Sequence, residues 1–362
     1  MNAAAKNYDG VNKYIRITDI DEASSTYTDK DIVSPDGVLT DNYLVNNRDI
    51  LLARTGASTG KSYLYKKSDG KLYFAGFLIR ANVTTHDPYF VFSQLHTHRY
   101  WRWVSIMSAR SGQPGINSQE YSSFPIYTTS IEEESKIAKL LSLLDKRIAT
   151  QNKIIEDLKK LKSAIIDYAI NSLNTDLAKF SSLYEMAGEG GTPTTSNASF
   201  YDNGKIPFVK IDDLKQKYLT ENKDFITELG LQKSSAWLVP THSILFSNGA
   251  TIGEISITTY PVCTKQGILG IVPKQNIDVE FLYYFMSSSY FKKAVSRIVT
   301  EGTMKTAYLK DINNILCPIP TKEKQQEIAK MPSTLNSKID FEQSILKLFC
   351  SQKQYLLRQM FI

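Results

Sequence analysis

The chain has 362 residues, 42% hydrophobic and 22% charged, with 43 Lys and Arg against 37 Asp and Glu for a net charge of +6. That profile excludes a disordered chain and leaves room for two or three domains with their own cores. There is no run of about 18 apolar residues to span a membrane, and Met1 to Asn7 lacks the apolar core of a signal peptide. The basic excess is too small to mark nucleic-acid binding by itself. Cys263, Cys317 and Cys350 have no paired spacing and read as buried free thiols of a reducing cytoplasm, with no zinc site.

In chain order, Lys13 to Ile20 alternates apolar with polar residues and reads as a strand carrying Arg16. Ile50 to Gly60 (ILLARTGASTG) predicts a second strand running into a Gly-x-x-x-Gly turn, and Phe74 to Val83 more sheet. Tyr89 to Leu95 predicts a helix, followed by an aromatic, basic stretch from His96 to Trp103 and a glycine-containing loop, Arg110 to Asn117. Phe124-Pro125-Ile126 closes the unit.

The order then repeats about 190 residues on. Ile206 to Leu214 is again a strand, with Lys210 where the first has Arg16. Ile244 to Gly253 (ILFSNGATIG) repeats the strand and glycine turn, Gly267 to Val272 the sheet, and Val279 to Met286 the helix. Thr300 to Thr306 repeats the loop and Cys317-Pro318-Ile319-Pro320 the close. A period this long makes each unit a whole domain, with a pseudo-two-fold relation between them. The second unit alone has a long lead, Leu177 to Gly204, so either the first lacks an outer element or the sequence is a shortened form.

Each unit is followed by a stretch of helical character. Ile131 to Leu173 contains neither Gly nor Pro, and Ile137, Leu141, Leu144, Ile148, Ile155, Leu158 and Ile165 recur at heptad steps. Ile328, Leu335, Ile339, Leu346, Phe349 and Leu356 repeat that seam. Gln151 and Lys162 interrupt the first seam as Glu342 and Lys353 do the second. Helices of this length span about 60 Å, and stripes so narrow are best buried against each other, antiparallel. Pro332 predicts a break or kink, with the main helical run starting there.

Gly56-Ala57-Ser58-Thr59-Gly60-Lys61-Ser62 imitates a phosphate-binding loop but is one residue short of the required spacing. Its copy has Glu254 in place of the lysine, and a carboxylate repels phosphate. His86, His96, His98 and His242 show no metal-ligand spacing, and acidic residues form no nuclease-like cluster. There is no Asn-Pro-Pro-aromatic motif and no G-x-G-x-x-G after a strand. The chain reads as non-catalytic. The candidates for phosphate and base contact are Arg16, Arg54, Lys61, Arg99, Arg102, Gln113, Asn117, Lys210, Asn248, Lys265 and Lys305, side-chain types that pair with phosphates or major-groove base edges. For His96 to Trp103 the competing reading is a helix with an aromatic core face and a solvated basic face.

Taken together these features resemble the specificity subunit of type I restriction–modification enzymes. Glu134-Ser135-Lys136-Ile137-Ala138 and Lys324-Gln325-Gln326-Glu327-Ile328-Ala329 resemble that family's E-Q-x-x-I-A signature. Gly190-Gly191-Thr192-Pro193 is similar to its S-G-G-T-P opening, and Gly112-Gln113-Pro114-Gly115-Ile116-Asn117 to its loop before the helix. The departures are the missing G-G-T-P lead of the first half, Ser135 in place of glutamine, and Pro332.

The resemblance implies an α+β fold: two similar target-recognition domains of mixed sheet and helices, separated by two long helices in an antiparallel coiled coil. The boundaries are 1–130 and 174–320 for the recognition domains, 131–173 and 321–362 for the helices. It further implies that each domain reads half of a bipartite, asymmetric site on double-stranded DNA. The helices would set the gap and dock methyltransferase subunits. Those subunits carry S-adenosylmethionine and methylate adenine, and a separate restriction and translocase subunit uses ATP and Mg; this chain binds no cofactor. The rival readings are a coiled-coil scaffold whose heads bind proteins, and an enzyme in its own right.

Overall fold

The computed structural model describes residues 1–109, 113–249, 251–299 and 305–361; Arg110 to Gly112, Ala250 and Thr300 to Met304, parts of the loops singled out above, lie outside them. Two compact units are resolved, Met1–Lys153 with Ser344–Ile362, and Ile154–Gln343. The long helices, Ile131–Asn171 and Lys322–Met360, each contribute to both units.

Both heads are built on one plan. In the first, the strand Lys13–Ile15 pairs in parallel with Leu72–Phe74, and the buried strand Asp49–Ala53 lies between antiparallel Ser62–Leu64 and Leu78–Asn82. In the second, Ile206–Val209 pairs in parallel with Cys263–Thr264, and Ile244–Ser247 lies between antiparallel Ile255–Thr258 and Ile268–Pro273. The central strands are flanked on both edges and face apolar side chains, hence their continuous hydrophobic runs. The first strands are shorter than their alternation predicts. Each ends in a tight turn, where an aspartate carboxylate (Asp19 or Asp213) accepts the backbone N–H of Arg16 or Lys210 at 2.8 and 2.9 Å.

The heads differ at one sheet edge. In the second, Tyr184–Glu189 adds an antiparallel strand beside Ile268–Pro273, and Gly190 and Gly191 follow it. A Cβ on Gly190 would stand 2.2 Å from Thr264 Oγ1, and one on Gly191 2.4 Å from the Ala236 backbone nitrogen, so glycine is needed for the chain to pass between these segments. Among the described residues no strand covers the outer edge of Leu78–Asn82 in the first head. There Met1 occupies the equivalent passage. Its ammonium donates to Phe74 O at 2.9 Å, and its carbonyl accepts from the Gly76 N–H at 2.8 Å and Tyr14 Oη at 2.7 Å. Burial pushes that ammonium down to about 6.

The long helices run antiparallel within each unit. In the first unit, Ala138 and Leu141 pack with Leu357 and Phe361, and Lys353 pairs with Asp145 at 2.6 Å. In the second, Lys162 Nζ donates to Asn336 Oδ1 at 2.8 Å, and Ile166 and Ile170 share a core with Ala329. Leu141, Leu144, Ile155 and Ile339 of the predicted seam are buried, while Ile137, Ile148, Leu158, Ile165, Ile328, Leu335, Leu346, Phe349 and Leu356 are half-buried. At the helix ends the deepest positions are Ile166, Ile170, Ala329 and Leu357, so burial has moved one residue past Ile165, Ile328 and Leu356. A straight helix drifts about 20° per heptad, and here the drift turns the stripe onto the core of the adjoining head.

Two expectations are corrected. The second long helix continues through Pro332. The buried ring sits between two anchors, Gln325 with its bonds to the head and Ser333, whose Oγ accepts from Lys217 at 3.0 Å, and this packing offsets the lost backbone bond. Cys350 is exposed on that helix, because it falls outside the seam; Cys263 and Cys317 are buried thiols.

Candidate nucleic-acid interface

Two loops far apart in sequence meet in each head. In the first, the Gly56 N–H donates to Pro114 O and the Ile116 N–H to Arg54 O, both at 2.9 Å, joining the glycine turn to the 113–117 loop. In the second, the Ala307 N–H donates to Asn248 O at 2.8 Å, and Gly249 bridges Thr306. The same pairing in both copies makes one composite edge per head. Gly56, Gly60 and Gly253 have φ of +67°, +92° and +107°, the left-handed geometry the turn requires.

Arg54 and Gln113 are exposed on this edge in the first head, with the Gln113 amide lying over Gly56. Lys61 follows the turn and pairs with Glu22 at 3.2 Å. Arg102 is exposed on the helix His98–Met107. In the second head Lys265 and Lys305 are exposed beside the edge. These six sequence candidates are free to reach a ligand or are held only by a surface ion pair.

Of the other five, Lys210 is likewise held by a surface ion pair and four are engaged within the fold. Arg16 donates to Asp19 at 2.7 Å and Asp31 at 3.0 Å, and its guanidinium pKa is raised chiefly by Asp19. Lys210 pairs with Asp224 at 2.8 Å. Asn117 caps the helix Ser118–Ser122 by accepting the Glu120 N–H. Arg99 stacks over Tyr127 and Phe124, 4.3 and 5.1 Å from their ring centroids, and donates to Pro125 O. Asn248 is buried; its amide donates to Ala307 O at 3.2 Å, and among the described residues its Oδ1 has no partner. The aromatic reading of the His96–Trp103 stretch holds for Tyr100, which is buried and donates to Gly60 O at 2.8 Å.

Sequence reasoning missed how the helices are anchored. The Asp87 N–H donates to Glu134 Oε2 at 2.9 Å, and the Asp278 N–H to Gln325 Oε1 at 2.7 Å. The counterpart of the signature glutamine is therefore Glu134, not Ser135. Gln325 also donates to Asn276 O and Pro320 O. A carboxylate cannot donate, and His86 Nδ1 meets Glu134 Oε1 at 2.8 Å where the second head has the apolar Ile277.

Lysines around the second glycine turn were also missed. Lys162, Lys215 and Lys292 line a hollow of about 320 Å³ with Gly253 and Glu254. Deeper in, Lys217 is held by Glu280, by Tyr284 Oη at 2.9 Å and by Ser333 Oγ at 3.0 Å. Among the described residues no three His, Cys, Asp or Glu side chains gather into a metal-holding group. No helix among them is long and apolar enough to cross a membrane.

The duplicated heads, the antiparallel helices and the composite edges describe a two-headed recognition module. The chain belongs to the type I restriction modification DNA specificity domain family, whose model matches residues 1–160 and 176–348. It is 31% identical over 171 residues to the type I restriction enzyme MjaIX specificity subunit of Methanocaldococcus jannaschii, covering 46% of this chain and 38% of that one. The MjaVIII specificity subunit of the same organism is 24% identical over 322 residues, 83% of this chain and 75% of that one. The alignments thus span from about a third to three quarters of these relatives' own length. In fold, the chain is similar to the crystal structure of a type I restriction-modification S subunit from M. genitalium, with a TM-score of 0.59 at 16% identity over 98% of this chain and 89% of that one.

Proposed function

We propose that this chain is the sequence-reading, non-catalytic subunit of a type I restriction–modification complex, each head reading one half of a bipartite DNA site. The observation that carries this is the composite edge. The same two loops are joined in both heads; they present Arg54 and Gln113 in one and Lys305 in the other, with Lys265 exposed beside them. Such side chains pair with base edges and phosphates. The two heads expose different side chains at these edges, exposed Arg54 of the first standing where the second has the buried Asn248, as an asymmetric site requires.

The long helices have two faces under this reading. Their seam sets the gap between half-sites. Their outer face keeps Leu143, Tyr168, Phe341, Leu348 and Tyr355 more than half exposed, apolar surface suited to docking methyltransferase subunits. S-adenosylmethionine, ATP and Mg would be bound by the partner subunits. A scaffold whose heads bind only proteins has no need for exposed cationic side chains at both edges.

The test is a methylome of cells with and without this gene. The reading expects a bipartite, asymmetric adenine-methylated motif that disappears with the gene. An unchanged methylome, with the methyltransferase subunits expressed, would overturn it.

A further inference from the structure

In the second head, three lysines from three separate elements converge beside the glycine turn. Lys162 comes from the long helix Ile131–Asn171, Lys215 from the loop before the strand Tyr218–Leu219, and Lys292 from the helix Ser289–Ile298. They line one hollow of about 320 Å³ that Glu254 also lines.

The cations are poorly neutralised. Lys292 makes no ion pair among the described residues. Lys215 pairs with Asp212 only at 3.5 Å and in full solvent, a contact of little worth. Lys162 is half-buried and bonded to a neutral amide, Asn336. Burial lowers its pKa, Lys217, Lys159 and Lys292 push it further down, and Asp340 opposes them. Lys217 is committed to Glu280. An anion in the hollow would relieve this mutual repulsion.

We propose that the hollow takes a backbone phosphate of duplex DNA, adjoining the half-site read by the second head; this rests on the DNA-reading function proposed above. Gly253 belongs both to the hollow and to the turn of the composite edge, so the pocket is continuous with the surface that faces bases. The matching residues of the first head differ. There Lys61 stands in place of Glu254, and Trp101, in place of Lys292, lies over Gly60 with its ring 3.0 Å from where a Cβ would be.

The experiment measures DNA affinity of the assembled methyltransferase against salt. Each lysine that neutralises a phosphate adds about 0.9 to the slope of log K on log salt. Lys292→Ala and Lys215→Ala should each flatten the slope by up to about that amount without changing the methylated motif, and Glu254→Gln should tighten binding. Lys179→Ala, away from the hollow, should leave the slope unchanged. Unaltered slopes in both lysine variants would overturn the proposal. So would an unaltered slope accompanied by lysine-dependent binding of inorganic phosphate, which would make the hollow a site for free anions. A wild-type complex whose DNA binding shows no salt dependence would instead remove the DNA-reading function itself.

Discussion

Trp101 and Lys292 stand on the same turn of equivalent helices, whose N-caps are Thr97 and Ser288, and the two heads diverge around them. In the first head Trp101 and Val104 close over Gly60, and the hydroxyls of Tyr100 and Tyr121 bond the turn from within. In the second, Phe291 and Ile312 have no hydroxyl, and nothing lies within 4 Å of where a Cβ on Gly253 would be. The cation has moved too, from Lys61 on the first turn to Lys292 on the second helix. One fold therefore presents a closed, aromatic-backed turn in one head and an open, lysine-lined one in the other. Duplication preserved the backbone, and the side chains set two different surfaces on it.

The anchoring of the heads gives the largest expected contrast. Lys217→Met would leave the half-buried Glu280 carboxylate with only the hydroxyls of Tyr218 and Ser333 as partners and should destabilise the second head by about 3 kcal/mol, the low end for breaking a buried ion pair. Denaturant unfolding with probes in each head should show the first head unaffected. Next come the glycines. Gly60→Ala combines left-handed strain with a Cβ 2.7 Å from Val104 Cγ1 and should cost about 3 kcal/mol. Gly253→Ala meets only the strain, about 1–2 kcal/mol. Equal losses of thermal stability in the two variants would contradict the closed-versus-open distinction.

A pH effect should follow, confined to the first head. Burial pushes His96 down to about 4, with Lys353 adding to the shift and Asp145 opposing it. Its Nδ1 lies 3.0 Å from Phe92 O, so the neutral ring donates there. Below its ordinary value of 6.5 the unfolded chain takes up a proton that the folded head refuses until about pH 4. Stability should thus fall as pH drops from 6.5 toward 4, by about 2 kcal/mol at pH 5. His96→Gln should lose most of that dependence in a melt series at pH 7 and pH 5, the remainder coming from the buried Met1 ammonium. The smallest effect on the fold is expected from Arg54→Ala, which is exposed. Its loss should weaken methylation about 10- to 100-fold, through reading of the first half-site alone, with unchanged stability.

Much of this was legible in the sequence, because repetition and periodicity survive without knowledge of contacts. The strands Asp49–Ala53 and Ile244–Ser247, the glycine turns and both long helices fall where hydrophobic pattern places them. Side-chain direction was not legible. Arg16 and Lys210 share a position in both copies because an aspartate three residues on receives each backbone N–H, a structural reason for recurrence that looks the same in sequence as a functional one. Asn248 aligns with exposed Arg54, yet it is buried against Ala307. The glutamine's counterpart was misread by one position, although Glu134 precedes Ile137-Ala138 by the same three residues as Gln325 precedes Ile328-Ala329; the shared bonds to Asp87 and Asp278 confirm that register. The lysines of the second hollow lie at 162, 215 and 292, and no local pattern joins them.

The central claim, that each head reads one half of the site, is tested most directly by exchange. Residues 1–130 would be replaced with the matching head of a related specificity subunit, and the sites methylated by the assembled complex sequenced. The account predicts a motif altered in one half only, with the other half and the spacing retained. A complex that still assembles and methylates but leaves both halves unchanged, or alters both, would contradict it.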